Sequence, residues 1–249
     1  MNTVKIDAYD LSSKKLNDSL RDCLFGDEEN IILTNVYGHR YIGTRLFSED
    51  NHKKLNIEIF GTPGNDLGAF LDRHRIVVHG NAQDGVGNTM NSGEIVVFGR
   101  AGDIVGMSMR GGKIFIRDSV GYRAAIHIKG YEDKKPVLII GGTAQDFLGE
   151  YMAGGVVVML GIGHKQHKTR FIGSGMHGGV IYIRGEVKED QLSKDVGVFE
   201  LDNEDKRYLR EYIEEYTERY KIRLGADMEE EFIKLLPISQ SPYNQLYTH

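Results

Sequence analysis

The chain is short of cysteine, of export signals and of long apolar runs. Cys23 stands alone among 249 residues, which excludes an intramolecular disulfide. No N-terminal stretch joins a basic region to an apolar one, so no secretory signal is expected and the cytoplasm is the expected location. No apolar run approaches the ~20 residues of a membrane span. A formal net charge of -5 supplies no electrostatic reason to meet nucleic acid. Three motifs are also missing: the G-x-x-x-x-G-K-[ST] phosphate loop, the H-E-x-x-H zinc helix and the G-x-S-x-G nucleophile elbow.

Glycine is abundant, at 31 residues, well above the ~7% of average proteins. The glycines fall in columns, so they mark turns and not a disordered tract. Seven short strands are predicted at Ile57–Phe60, Ile76–His79, Ile95–Phe98, Ile114–Arg117, Val137–Ile140, Val157–Leu160 and Ile181–Arg184. Their starts are 19, 19, 19, 23, 20 and 24 residues apart, the signature of a repeat architecture. Apolar-Gly-x-x-Met segments lead into four of them: Val86-Gly87 to Met90, Val105-Gly106 to Met109, Leu148-Gly149 to Met152, and Ile172-Gly173 to Met176. Leu67-Gly68 to Leu71 fills the same register. Gly93, Gly112, Gly155 or Gly179 precedes a strand by two residues, and Gly61, Gly80, Gly99, Gly141, Gly161 or Gly185 ends one. Asp118 breaks that last column, and Asp is among the residues that tolerate positive φ.

Strand side chains alternate faces, so the first and third residues of each strand, Ile57/Ile59, Ile76/Val78, Ile95/Val97 and their successors, are expected to point inward and stack. The expected fold is an all-β core: a right-handed parallel β-helix of about seven coils, each with two or three strands, spaced ~4.8 Å apart. A left-handed form would show a hexapeptide period, and none is visible. Val77, Val96, Phe98, Leu138, Ile140, Val158 and Leu160 are then outward and need a cover. Helical additions at both ends are expected to supply it, with a partner subunit as the alternative. Ser12 and Ser13 can cap a helix bearing Leu16, Leu20, Cys23 and Leu24 and ending at Gly26. Asp202 can cap a second, with Tyr208, Tyr212, Tyr216 and Tyr220 in line, ending near Gly225. Asp227 with Glu230 suggests a third, stopped by Pro237. The expected division is an N-terminal helical segment over 1–30, the repeat over 31–190 and a C-terminal helical extension over 191–249.

Candidate chemistry is sparse. Gly173-Ser174-Gly175-Met176-His177-Gly178 fits G-x-G-x-x-G, but it leads into a strand, whereas the dinucleotide motif follows a strand and opens a helix. His164 and His167 share a loop with Lys165 and Lys168 and have no nearby carboxylate, which favours a solvated loop over a metal site. Cys23 falls on the apolar side of its helix, where an inert buried thiol is the common case. Asp66, Asp84, Asp103 and Asp146 enter turns at related positions; turn formation explains them without a catalytic carboxylate column. No catalytic, cofactor-binding or metal residue is assigned, and no cofactor is expected.

The segment Glu150-Tyr151-Met152-Ala153-Gly154-Gly155-Val156-Val157-Val158-Met159-Leu160-Gly161, with Gly175-Met176-His177-Gly178-Gly179-Val180-Ile181-Tyr182, resembles the C-terminal GXGXG domain of the glutamate synthase large subunit. Ile116-Arg117-Asp118-Ser119 and the stretch Asn35-Val36-Tyr37-Gly38-His39-Arg40-Tyr41-Ile42-Gly43-Thr44-Arg45-Leu46 carry the same likeness, which covers about residues 31–187. The C subunit of formylmethanofuran dehydrogenase is similar in its Met-x-Gly-Gly columns. The resemblance implies a β-helix without catalytic residues that braces a glutamine-hydrolysing part against an FMN and iron-sulfur synthase part. The chain would then be a structural subunit of a split glutamate synthase-type oxidoreductase complex in nitrogen metabolism. Its implied partners are glutamine amidotransferase and FMN/Fe-S synthase subunits, or further copies of itself; nucleic acid and membrane are not among them. The alternatives are the scaffold subunit of a formylmethanofuran dehydrogenase-like complex, and a free-standing enzyme or ligand-binding β-helix.

Overall fold

The computed structural model describes residues 2–46, 53–164, 166–225 and 231–238. The strands are β1 (Asn2–Asp7), β2 (Glu28–Tyr37), β3 (Asn56–Thr62), β4 (Arg75–His79), β5 (Glu94–Val97), β6 (Lys113–Ile116), β7 (Val137–Ile140), β8 (Ala153–Met159), β9 (Gly178–Arg184), β10 (Val196–Phe199) and β11 (Phe232–Pro237). They form one eleven-stranded sheet in the order β1-β2-β3-β4-β5-β6-β7-β8-β9-β11-β10. Neighbours from β1 to β9 are parallel, while β11 runs antiparallel to both β9 and β10.

This sheet overturns the expected right-handed parallel β-helix of about seven coils. Each repeat places one strand in a single open sheet, not two or three strands around a coil, and the sheet ends on antiparallel strands. The physical reason lies in the apolar-Gly-x-x-Met segments. Positive φ recurs at every second residue there: at Asp66, Gly68 and Phe70, at Gly85, Gly87 and Thr89, and at Ile104, Gly106 and Ser108. A strand needs negative φ throughout, so these segments form turns. Their amides still bond neighbouring repeats, Gly87 N–H donating back to Leu67 O at 2.8 Å and Thr89 N–H donating forward to Met107 O at 2.7 Å.

The register corrects one strand. Ile114 pairs with Leu138 and Leu138 with Val157, so Leu138 and Ile140 face the core, while Val137 and Ile139 face outward beside Val96 and Phe115. That one-residue slip reverses both faces of β7. Aligned positions then fall 24 residues apart from Ile114 to Leu138, 19 to Val157 and 24 to Ile181. The period is nineteen with two five-residue insertions, one in the loop before β7 and one between β8 and β9.

The main core lies between the sheet and the turns. Ile57, Ile59, Ile76, Val78, Ile95 and Val97 meet Leu67, Leu71, Val86, Met90, Val105 and Met109, all fully buried. Helix α1 (Ser13–Phe25) has Ser12 as its cap and buries Leu16, Leu20, Cys23 and Leu24, as expected. These side chains join the main core and do not cover the outer stripe. That task falls to α2 (Asn203–Tyr220), capped by Asp202. Its Leu209, Tyr212, Ile213, Tyr216 and Tyr220 pack on Val77, Val96, Phe115, Ile139, Val158 and Tyr182. It ends at Tyr220, short of Gly225, because Lys221 turns left-handed at φ 52. The third expected helix is a strand instead: β11 is hydrogen-bonded between β9 and β10 over Phe232–Pro237. The Asp227 and Glu230 capping pair lies outside the described residues.

Candidate functional site

Helix α2 is held to the sheet by polar contacts around its apolar stripe. Tyr216 and Tyr220 donate from their hydroxyls to the carbonyls of Arg117 at 2.7 Å and Val97 at 3.0 Å. Lys113 meets the Glu215 carboxylate at 2.6 Å, and the Arg219 guanidinium lies 4.2 Å from the Phe115 ring centroid. Near the helix start, Asp205 accepts from the Tyr182 hydroxyl at 2.5 Å and from Lys234 Nζ at 2.6 Å, joining α2 to β9 and β11. Burial would raise the Asp205 carboxyl, and these two donors hold it below the ordinary aspartate value. One strand-end glycine answers to the same packing. Gly141 does not adopt positive φ, and neither does Asp118 in its column; a Cβ at Gly141 would overlap the Tyr216 hydroxyl and the carbonyl of Arg117.

The residues singled out from sequence are dispersed. Gly173 and Gly175 sit in a turn at φ +70 and +66 that leads into β9, so the G-x-G-x-x-G segment opens no helix. The Cys23 thiol is buried and donates to Ser19 O at 3.3 Å, and burial pushes its pKa up, with Glu28 adding repulsion. His164 is exposed, but His167 is 5% exposed, with Nε2 at 2.7 Å from Arg184 O and Nδ1 at 3.1 Å from the Thr143 hydroxyl. The solvated-loop expectation therefore fails for His167, whose pKa burial pushes down. Among the described residues no group of His, Cys, Asp and Glu is arranged to hold a metal ion.

The aspartates form a column of repeat-to-repeat staples. Asp84 accepts from Asp103 N–H at 2.9 Å, Asp103 from Tyr122 N–H at 2.8 Å and Asp146 from Arg170 N–H at 2.9 Å. Asp66 accepts from the Asn88 side chain at 3.1 Å. Each of these carboxylates is engaged in fixing the neighbouring repeat.

The surface that sequence reading missed lies on the outside of the turns. Tyr41, Arg123, Phe147 and Phe171 occupy the position just before the apolar-Gly pair, which in one repeat is Ala124-Ala125, and Arg45, Phe70, His127 and Tyr151 the position three residues after its apolar member. Every one of them has positive φ, and Tyr41, Phe70, Tyr151 and Phe171 are each 42–50% exposed. Phe147 stacks on Phe171 at 4.9 Å and His127 on Tyr151 at 5.2 Å, with the Arg123 guanidinium 4.7 Å from the Phe147 ring. The two columns are visible once the repeats are aligned on their glycines. Exposed aromatic side chains interleaved with arginine have the composition of a protein interface core. No helix among the described residues is long and apolar enough to cross a membrane.

An uncharacterized protein of Methanocaldococcus jannaschii is 46% identical over 258 aligned positions, which span all of this chain and 97% of that relative. The GXGXG motif family matches residues 30–238, from the third residue of β2 past the end of β11. The match takes in every turn column and the C-terminal strands as well as the repeat, and the chain belongs to the GXGXG motif family.

Proposed function

We propose that the chain is a non-catalytic structural subunit of a split glutamate synthase-type complex. In this reading it braces a glutamine amidotransferase subunit against an FMN and iron-sulfur synthase subunit in the cytoplasm. Family membership supports the glutamate synthase connection. The observation that carries the bracing role is the outer turn surface, where Phe147, Phe171, His127 and Tyr151 stack in the open beside Arg123. The repeat, about residues 31–190, is the bracing part, and the C-terminal segment locks its outer sheet face through α2.

The test is capture of tagged full-length chain from its native host. Amidotransferase and flavin-binding synthase subunits should co-purify. Substituting Tyr151→Ser together with Phe171→Ser should weaken that capture by at least about tenfold while leaving the unfolding midpoint in place. Recovery of the chain without those subunits, recovery with formylmethanofuran dehydrogenase-type partners, or glutamine hydrolysis by the chain alone would each overturn the proposal.

A further inference from the structure

A cavity of about 680 Å³ opens where α1 meets the first turns, with Lys14, Asn17, Arg40, Tyr41, Arg45 and Phe70 in its lining. Its volume is within the range of small-molecule sites. The lining charge is lopsided in a chain that is acidic overall. Lys14, Arg21, Arg40 and Arg45 stand against the single carboxylate of Asp66. Arg21 is tied to Asp18 at 2.7 Å, whereas Lys14, Arg40 and Arg45 have no ion pair among the described residues. Ser13 and Lys14 belong to the first turn of the thirteen-residue α1, whose amide dipoles add positive potential.

The cavity is built, not incidental. Ser13 Oγ accepts from Arg40 N–H at 3.0 Å, and Asn17 Nδ2 donates to Ser13 O at 2.8 Å and Arg40 O at 3.1 Å, pinning the loop to the helix. Both amide hydrogens of Asn17 are thereby used, which fixes its Oδ1 as the remaining acceptor. Asn17 is 6% exposed, and that Oδ1 is enclosed and has no hydrogen-bond partner, so the side chain serves to fix the cavity wall and not to meet a ligand. Tyr41 and Phe70 bring half-exposed rings to the lining, with the Arg45 guanidinium 5.9 Å from the Phe70 centroid.

We infer that this cavity binds a phosphate monoester joined through a hydroxylated linker to a planar ring, the chemistry of a nucleoside monophosphate. The phosphate is met by Lys14, Arg40 and Arg45 at the start of α1. Hydroxyl donors pair with the Asp66 carboxylate, and the ring lies on Tyr41 or Phe70. This site goes beyond the bracing role; it shares Tyr41, Arg45 and Phe70 with the turn columns but not the Arg123, His127, Phe147, Tyr151 and Phe171 cluster that carries that role.

Isothermal titration of the full chain with the four ribonucleoside 5′-monophosphates, with inorganic phosphate and with the matching nucleosides tests the inference. At least one nucleotide should bind saturably with one site per chain, about tenfold or more tighter than phosphate or its nucleoside. Arg40→Ala combined with Arg45→Ala should weaken that binding by at least about tenfold without moving the free chain's thermal midpoint, and Arg100→Ala should leave it unchanged. Three results would overturn the inference: no saturable binding by any nucleotide, phosphate binding as tightly as the nucleotide, or full affinity in the Arg40→Ala, Arg45→Ala variant.

Discussion

Arg219 of α2 and Glu94 of β5 lie 125 residues apart in the chain and meet as an ion pair, with Nη2 2.5 Å and Nε 2.9 Å from the same carboxylate oxygen. The other oxygen of Glu94 accepts from Arg75 Nε at 2.7 Å. Burial would raise this carboxyl, and the hydrogen bonds from Arg75 and Arg219 outweigh it, holding Glu94 below its ordinary value of 4.5. A depressed carboxylate contributes stability that is present above the unfolded value and lost as pH falls through the folded one. Glu94→Gln should therefore cost about 1–2 kcal/mol near neutral pH, since Arg75 loses its charged partner while Arg219 keeps Glu215. The same variant should lose less stability than the wild type between pH ~5 and ~3. Urea unfolding at several pH values checks both.

The alkaline limb should behave in the opposite sense. Burial pushes the Tyr212 hydroxyl up to about 12 and also raises Tyr182, Tyr216 and Tyr220, with Asp205 acting on Tyr182 next. Their raised values mean stability that is full below the unfolded value of ~10 and lost as pH climbs through the folded ones. These four phenols should ionise together with loss of α2, so the last rise in phenolate absorbance should coincide with the fall in helical circular dichroism. Tyr220→Phe, which removes the bond to Val97 O, should cost about 1 kcal/mol.

Gly87 holds φ +68, and a Cβ there would overlap the Ile114 Cδ1 methyl of the neighbouring repeat. Gly87→Ala should destabilise the chain by about 2–3 kcal/mol through left-handed strain and overpacking. Pairing it with Ile114→Val deletes that methyl, so the double variant should lose less than the two single losses added together. Denaturant midpoints of the four proteins close the cycle.

Cys23 should be slow to react. Its thiol is buried and its pKa raised, so labelling by a thiol reagent at neutral pH should be slower than in denaturant by at least about a hundredfold. Fast labelling of the native chain would place the thiol outside the core.

Much of this arrangement is legible in the residues themselves. The glycine columns, the inward Ile and Val pairs of β3 to β6 and the Ser12 and Asp202 caps all follow from local pattern. The faces of β7 are not legible, because Val137, Leu138, Ile139 and Ile140 are all apolar and alternation carries no information there; only pairing with Ile114 and Val157 sets the register. For β11 a capping pattern and a following proline suggest a helix, whereas the open edge of β9 draws Phe232–Pro237 into the sheet. Flanking lysines suggest a solvated His167, yet Arg184 and Thr143 from distant parts of the chain enclose it.

By itself the sequence determined the nineteen-residue period, the turn glycines, the two capped helices and the lack of any familiar catalytic motif, because these depend on neighbours a few residues apart. Only the tertiary structure decided that each repeat yields one strand and one alternating-hand turn, that α2 and not α1 covers the outer face, and that Arg40, Arg45 and Asn17 share a cavity. Those outcomes depend on hydrogen bonds and charges brought together across 19 to 125 residues, and no local pattern encodes which distant partner completes them.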